Sequence, residues 1–515
     1  MPRTSPLHVL RAPLTALALL ALPACMAGDL SEQSGFGDSG GGAGVGQGGA
    51  QDFGQFKQIL EDGGIPGPET IDDVGFFNEH KIELPAPGCG ENVCLHGLFG
   101  QMGNMINGSP CTTILVGMNT PIDPSQLERP PLNLALAIDV SGSMQGEPIQ
   151  YVREGLDRML DALDPQDRIT LIACADAAQL RVDYAGGDDP ELANAIAGLE
   201  ANGATNIYDG LRTAFERVEA HADDGHQNRV ILLSDGVATA GITSDAKILE
   251  MAAGFNARGL ALTTIGVGAD FDVALMRDLS EGGSGAFYFL EDPAAVQEVF
   301  VEEVTSFMVP LAEEVQIAIE VAGDYLLRGI YGTKKFEATG QSGVITIPNL
   351  QLAHRESVDD NQGGRRGGGG AIILELLPAK GGDGQALSVG DLHLTYRDAL
   401  TDLSVEQHIQ VDAPIGPMDP GAFFATPSVE KGFVMLNIYM GFQMAAVRAR
   451  SGDDAGALNV LLGLEEAVVG WLADNPDFDI EDDLRYVRMF IANLRQRGAE
   501  DPPENQPRPN PWPQD

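Results

Sequence analysis

Between residues 131 and 310 the apolar positions change period again and again. Continuous apolar runs, such as Leu-Asn-Leu-Ala-Leu-Ala-Ile at 132–138, alternate with stretches whose apolar residues recur every three or four positions. The runs predict buried strands at 132–138, 168–174, 229–233, 260–266 and 286–290, with a short antiparallel edge strand at 180–184. The helical period predicts helices over 147–163, 191–200, 207–220, 245–258, from 272 onward and over 293–307. Strands bounded by Gly and Asp that alternate with helices give an α/β fold: a doubly wound, mostly parallel sheet with helices on both faces. A span of 131–310 suits one such domain.

Elsewhere the period is different. Over 311–414 short alternating runs at 315–321, 343–347, 371–377, 392–396 and 405–411 predict a β-rich, sandwich-like domain. Its Asn-Gln-Gly-Gly-Arg-Arg-Gly-Gly-Gly-Gly stretch at 361–370 reads as a flexible hairpin or insertion loop. Over 415–500 helices return. Phe433, Leu436, Met440, Met444 and Val447 mark one face, Leu484, Val487, Phe490, Ile491 and Leu494 another, and 458–472 lies between. Three helices make a small bundle, and Asn437, Gln443 and Arg448 argue against a membrane span in the first. Residues 501–515 form a Pro-rich tail. Before the α/β domain, 26–68 is rich in Gly, Ser, Gln and Asp and reads as a tether with a reach of about 35 Å. A small β-rich, Cys-containing segment, 69–130, follows it, with a strand at 111–118.

Residues 1–25 read as an export signal: Arg3 and Arg11 flank a short apolar stretch at 12–22. It ends in Leu22-Pro23-Ala24-Cys25, which resembles the lipobox of bacterial lipoproteins, where cleavage leaves Cys25 as an acylated N-terminus. Plain secretion is the other reading. The expected location is the bacterial cell envelope, lipid-anchored, with Met26 rather than Asp after the cysteine favouring the outer membrane; otherwise periplasmic or secreted. Export permits disulfides. Cys89, Cys94 and Cys111 share one short segment, while Cys174 falls within an apolar strand. One bridge plus a spare thiol, or a second bridge using Cys174, both satisfy this count, with Cys89–Cys94 the favoured pair across a Gly-Glu-Asn turn. The 515 residues carry 31 Lys plus Arg against 75 Asp plus Glu, a formal charge of -44. That balance repels phosphate backbones, and no basic run offsets it, which excludes nucleic-acid binding.

The chemistry gathers at strand ends. Asp139-Val-Ser141-Gly-Ser143 closes the first strand, Thr205 follows a Gly-Ala turn, and Asp235 closes the strand at 229–233. In open α/β sheets ligands bind outside the carboxyl ends of the strands. The groups delivered there are two carboxylates and three hydroxyls, hard oxygen donors that suit Mg²⁺, with Mn²⁺ or Ca²⁺ as alternatives. This set resembles the von Willebrand factor type A domain and its metal-ion-dependent adhesion site, Asp-x-Ser-x-Ser with a later Thr and Asp. The resemblance implies that Asp139, Ser141, Ser143, Thr205 and Asp235 hold the metal, some through water. The flanking segments also look like bacterial exported type A proteins, and the β segments on both sides like inter-alpha-trypsin inhibitor heavy chains.

A non-enzymatic role is expected. Within 131–310 the motifs Gly-x-Ser-x-Gly, His-Glu-x-x-His and the P-loop are absent, and His221 and His226 fall at the opposite end of the sheet from the metal. The expectation is an exported, membrane-tethered module that binds a protein ligand through its Asp or Glu. Two alternatives stand: an envelope scaffold whose metal only stabilises the domain, and an enzyme with a site in the C-terminal half.

Overall fold

The computed structural model describes residues 43–47, 50–51, 53–123, 130–223, 225–235, 237–267, 272–290, 310–353, 370–378, 388–413, 423–503 and 507–508. Cys25, the expected helix at 293–307 and most of the Gly-Arg stretch at 361–370 lie outside them.

Strand Leu132–Asp139 is buried along its whole length and lies in the interior of a seven-stranded sheet. On one side it pairs in parallel with Arg168–Cys174, which carries Ala178–Ala185 as an antiparallel edge. On the other side come Gln227–Ser234, Ala261–Val267 and Ser284–Leu290, all parallel, and the short Ala50–Gln51 closes that edge. The chain therefore winds to one side first and then to the other, and the winding reverses between Leu132–Asp139 and Gln227–Ser234. Alternate residues of Leu132–Asp139 serve opposite layers. Leu132, Leu134, Leu136 and Ile138 pack under helices Glu147–Asp161 and Pro190–Ala197. Ala135 and Ala137 present a small-residue face to Ile207–Ala220, Asp245–Asn256 and Val273–Gly282. Burial on both faces is why these strands read as unbroken apolar runs.

The β-rich stretches on either side of this domain are one structure. The hairpin Cys94–Gly103 and Pro110–Thr120 adds to strand Ile372–Pro378, with Val116 opposite Ile372. The other strands from Pro310–Val321 to Ser404–Asp412, together with Ala43–Gln47 and Phe423–Phe424, complete an 11-stranded antiparallel sheet. It curls over a shared core in which Val93, Leu95, Phe99 and Ile114 meet Val315, Ile317, Leu392 and Leu394. The separate segment expected over 69–130 thus supplies strands to the domain expected over 311–414, and the α/β domain is an insertion between them. Strands Tyr325–Tyr331 and Phe336–Thr339 escaped the sequence reading, the first because Arg328 and Gly329 break its alternation.

The tether expected over 26–68 does not extend to 68. Phe53–Glu61 is a helix, and its Phe53, Phe56 and Leu60 are buried against helices Pro427–Arg450 and Phe478–Arg497. A second short helix, Asp73–Asn78, buries Phe76 and Phe77 in the same core. Helix Asp454–Asp474 completes the C-terminal bundle. By length and composition that helix could cross a membrane, but Leu458, Leu461, Leu464 and Val468 are fully buried among its neighbours. The tail is partly pinned, since Asn459 Nδ2 donates to the Pro507 carbonyl at 3.3 Å and Arg508 pairs with Glu466. A disulfide joins Cys89 to Cys94, and Cys111 and Cys174 are free and buried.

Candidate metal centre

The reversal of winding leaves a crevice at the carboxyl ends of Leu132–Asp139 and Gln227–Ser234, and the candidate oxygens are there. Strand pairing sets Ile138 beside Leu233, so Asp139 and Ser234 emerge next to each other. Ser234 Oγ donates to Asp139 Oδ2 at 2.6 Å, and the Ser141 amide donates to Asp139 Oδ1 at 2.8 Å. Both carboxylate oxygens of Asp139 are thereby fixed in direction at a residue only 1% exposed. Ser234 was not among the residues singled out from sequence; the signal was its place in Leu-Leu-Ser-Asp-Gly, at the end of a buried strand.

Three oxygens form a chain. Ser141 Oγ lies 2.9 Å from Ser143 Oγ, which donates to Asp235 Oδ1 at 2.9 Å. Neighbouring oxygens on an octahedral Mg²⁺ with bonds of ~2.1 Å stand ~3 Å apart, a spacing these two contacts match. Thr205 reaches the same edge through its main chain. Its carbonyl accepts from the Thr239 and Ala240 amides at 2.9 and 3.1 Å, and its amide donates to Thr239 Oγ1 at 2.9 Å. The loops are also tied to each other: Gly142 N donates to the Gly203 carbonyl at 3.0 Å and Asn202 N to the Val140 carbonyl at 2.6 Å. Asp176 adds a further tie by accepting from the Ala204 amide at 3.0 Å. Asp139, Ser141, Ser143, Thr205 and Asp235 therefore share one edge, with four loops bonded around them.

Electrostatics set a cost that a cation would relieve. Burial pushes the Asp139 carboxyl above its ordinary range, against hydrogen bonds from Ser234 and Ser141. Burial likewise lifts Asp235 to about 6, opposed by the Ser143 hydrogen bond and reinforced by the Asp139 charge. Two crowded carboxylates with oxygen neighbours are the environment that a divalent ion stabilises. The nearby Cys174 is no competitor for it. Burial pushes its thiol far up, with Asp139 and Asp209 adding to the shift, and a Cβ on Gly210 would lie 2.2 Å from its sulfur. It is a packed, protonated core thiol beneath helix Ile207–Ala220.

Comparison with known proteins bears on the same span of chain. The model of the von Willebrand factor type A domain matches residues 133–302. An uncharacterized Escherichia coli (strain K12) protein, YfbK, is 29% identical over 196 residues, 38% of this chain and 34% of that protein. Inter-alpha-trypsin inhibitor heavy chain H4 of Homo sapiens is 31% identical over 195 residues, 36% of this chain and 21% of the heavy chain. The aligned part thus spans about a third or less of these two relatives. Among solved structures, von Willebrand factor type A from Catenulispora acidiphila superposes with a TM-score of 0.49 at 16% identity, over 73% of this chain and 84% of that one. Such domains generally mediate protein–protein interaction and commonly bind a divalent metal at this edge. Family match, sheet order and helix layers coincide over the same span, and residues 133–302 are a von Willebrand factor type A domain.

Proposed function

We propose that this chain is an exported, membrane-tethered module that binds a protein ligand through Mg²⁺ held by Asp139, Ser141, Ser143, Thr205 and Asp235. The observation that carries the reading is the chain of Ser141, Ser143 and Asp235 oxygens at successive 2.9 Å spacings, next to a carboxylate fixed at both oxygens. When bound, the metal would offer a vacant position to an incoming Asp or Glu. The protein's own residues do the rest. Ser234 and the Ser141 amide aim Asp139, and the Thr205–Thr239 contacts hold the third loop in place.

Binding rather than turnover fits the surroundings. The imidazoles of the domain, His221 and His226, lie beyond helix Ile207–Ala220 and before strand Gln227–Ser234, at the opposite sheet edge. Neither imidazole therefore stands beside the candidate oxygen donors. Export rests on the signal-like residues 1–25 and tethering on Cys25. The test is capture from envelope extract by the purified chain with Mg²⁺, with chelator, and with Asp139→Ala protein. The reading requires a protein retained only by the native chain with Mg²⁺; retention that ignores both chelator and substitution sinks it.

A further inference from the structure

The three parts of the chain meet at one buried ionic cluster. Asp72 and Asp73 open helix Asp73–Asn78 of the bundle, Arg277 and Glu281 come from helix Val273–Gly282 of the type A domain, and Lys334 and Lys335 come from a turn of the β domain. Asp72 is 2% exposed; its Oδ1 accepts from the Gly75 amide at 3.0 Å, and its Oδ2 pairs with Lys334 and lies 4.0 Å from Arg277 Nε. Asp73 also pairs with Lys334 and accepts from the Gly332 amide at 2.6 Å. Gly332 has φ +85°, and a Cβ there would meet the Ala371 carbonyl at 2.1 Å and Phe77 at 3.0 Å, so the turn is closely seated. The type A domain is stitched in by Arg277, which donates to the Glu69 carbonyl at 3.0 Å, and by Lys335, which donates to the Glu281 carbonyl at 3.1 Å.

The Glu281 side chain does not share in these bonds. Its Oε1 is buried with no hydrogen-bond partner among the described residues. The charges that face it are Asp72 and Asp278, which repel it, and Lys334 and Arg277, which attract it but are already engaged by Asp72. We propose that Glu281 is a proton-sensitive latch: protonated, it lets the type A domain seat on the β domain and bundle; ionised, it is repelled by Asp72 and loosens the seat.

The direction follows from linkage. Burial and then Asp72 push the seated Glu281 up to about 7 from an ordinary 4.5, to which it returns when released into solvent. Between those values the seated form binds more protons, so seating weakens as pH rises from 4.5 through 7 and levels off above. The remaining groups do not reverse this. Asp73 is also raised, chiefly by burial; burial would raise Asp72 too, but Lys334 and Arg277 hold it low, below the window; Lys334 is raised and stays charged throughout. The ceiling is about 300-fold in the seating equilibrium, and solvent at the half-buried carboxyl reduces it to roughly 10-fold or somewhat more. The seat lies at the end of helix Val273–Gly282 away from the metal edge, where strand Ala261–Val267 ends and that helix begins.

The test is hydrogen exchange by mass spectrometry on the full chain at pH 5 and pH 8, corrected for the intrinsic pH dependence of amide exchange. Peptides covering 273–283 and 330–336, which lie outside the His80–Asp483 pair, should lose at least 10-fold protection at pH 8 in the native chain. The isosteric Glu281→Gln should stay protected at both pH values, with circular dichroism confirming its fold. Protection equal at both pH values in the native chain, or the same loss in Glu281→Gln, overturns the proposal. Mg²⁺ affinity should be the same in both proteins at pH 8, which keeps this result separate from the metal reading.

Discussion

The bundle is closed by a buried pair that joins the two ends of the described chain, and breaking it should be costly in a pH-dependent way. His80 Nε2 lies 2.8 Å from Asp483 Oδ2, and His80 Nδ1 lies 2.7 Å from the Phe76 carbonyl. Both ring nitrogens face acceptors, so both carry protons and the ring is an imidazolium opposite a carboxylate. Burial alone would favour the neutral ring, but the Asp483 charge and hydrogen bond outweigh it and raise the His80 pKa above 6.5. Both side chains are nearly inaccessible, at 2% and 3%. Asp483→Asn keeps the shape and removes the charge, leaving a buried ring that must lose its proton. Breaking such a pair costs about 3–5 kcal/mol. With a urea m-value of about 2 kcal/mol/M, the midpoint should fall by about 1.5–2.5 M. Trp471, whose indole donates to Glu430 at 2.9 Å within the bundle, reports the transition by fluorescence. A raised histidine pKa gives stability that is complete below 6.5 and is lost as pH rises through the folded value. The native bundle should therefore weaken as pH rises above 6.5, and Asp483→Asn should lose that slope. A loss under 1 kcal/mol, or an unchanged slope, would refute the reasoning.

Three further outcomes are expected. Replacing Cys89 and Cys94 together by Ser should cost about 2 kcal/mol, as a small loop implies, and non-reducing peptide mapping should find that pair bridged with Cys111 and Cys174 free. Cys25→Ser should move the protein from the membrane pellet to the soluble fraction; pelleting after a high-salt wash would contradict the anchor. Val237 and Ile242, 53% and 36% exposed on the loop after Asp235, should contribute apolar contact to a ligand. Changing both to Ser should weaken ligand binding about tenfold while leaving Mg²⁺ affinity intact, read by calorimetry.

The α/β domain was legible because its inner strands are apolar on both faces and stop at or within two residues of a Gly or Asp, so period and boundary agree along them. Asp139, Ser141, Ser143 and Asp235 were legible for the same reason, since they follow strand ends, whereas Thr205 sits in the loop before helix Ile207–Ala220. What stayed hidden was long-range. Val116 pairs with Ile372 across an inserted domain, and no local pattern encodes a partner that distant. Helix Phe53–Glu61 was masked by the Gly-rich composition around it, although Phe53, Phe56 and Leu60 already fell at helical spacing. Glu281 and Asp72 show nothing special in sequence, because their meaning comes from three separate chain segments converging. Ser234 is a similar case at short range: its hydroxyl matters only because Asp139 emerges beside it.

The central claim is that five oxygens at one sheet edge hold a divalent ion, and calorimetric titration of Mg²⁺ into metal-free protein tests it most directly. The native chain should bind one ion, Thr205→Ala should bind it more weakly, and Asp139→Ala should not bind it measurably while its circular dichroism matches the native spectrum. Equal Mg²⁺ binding by native and Asp139→Ala protein, both folded, would contradict the account.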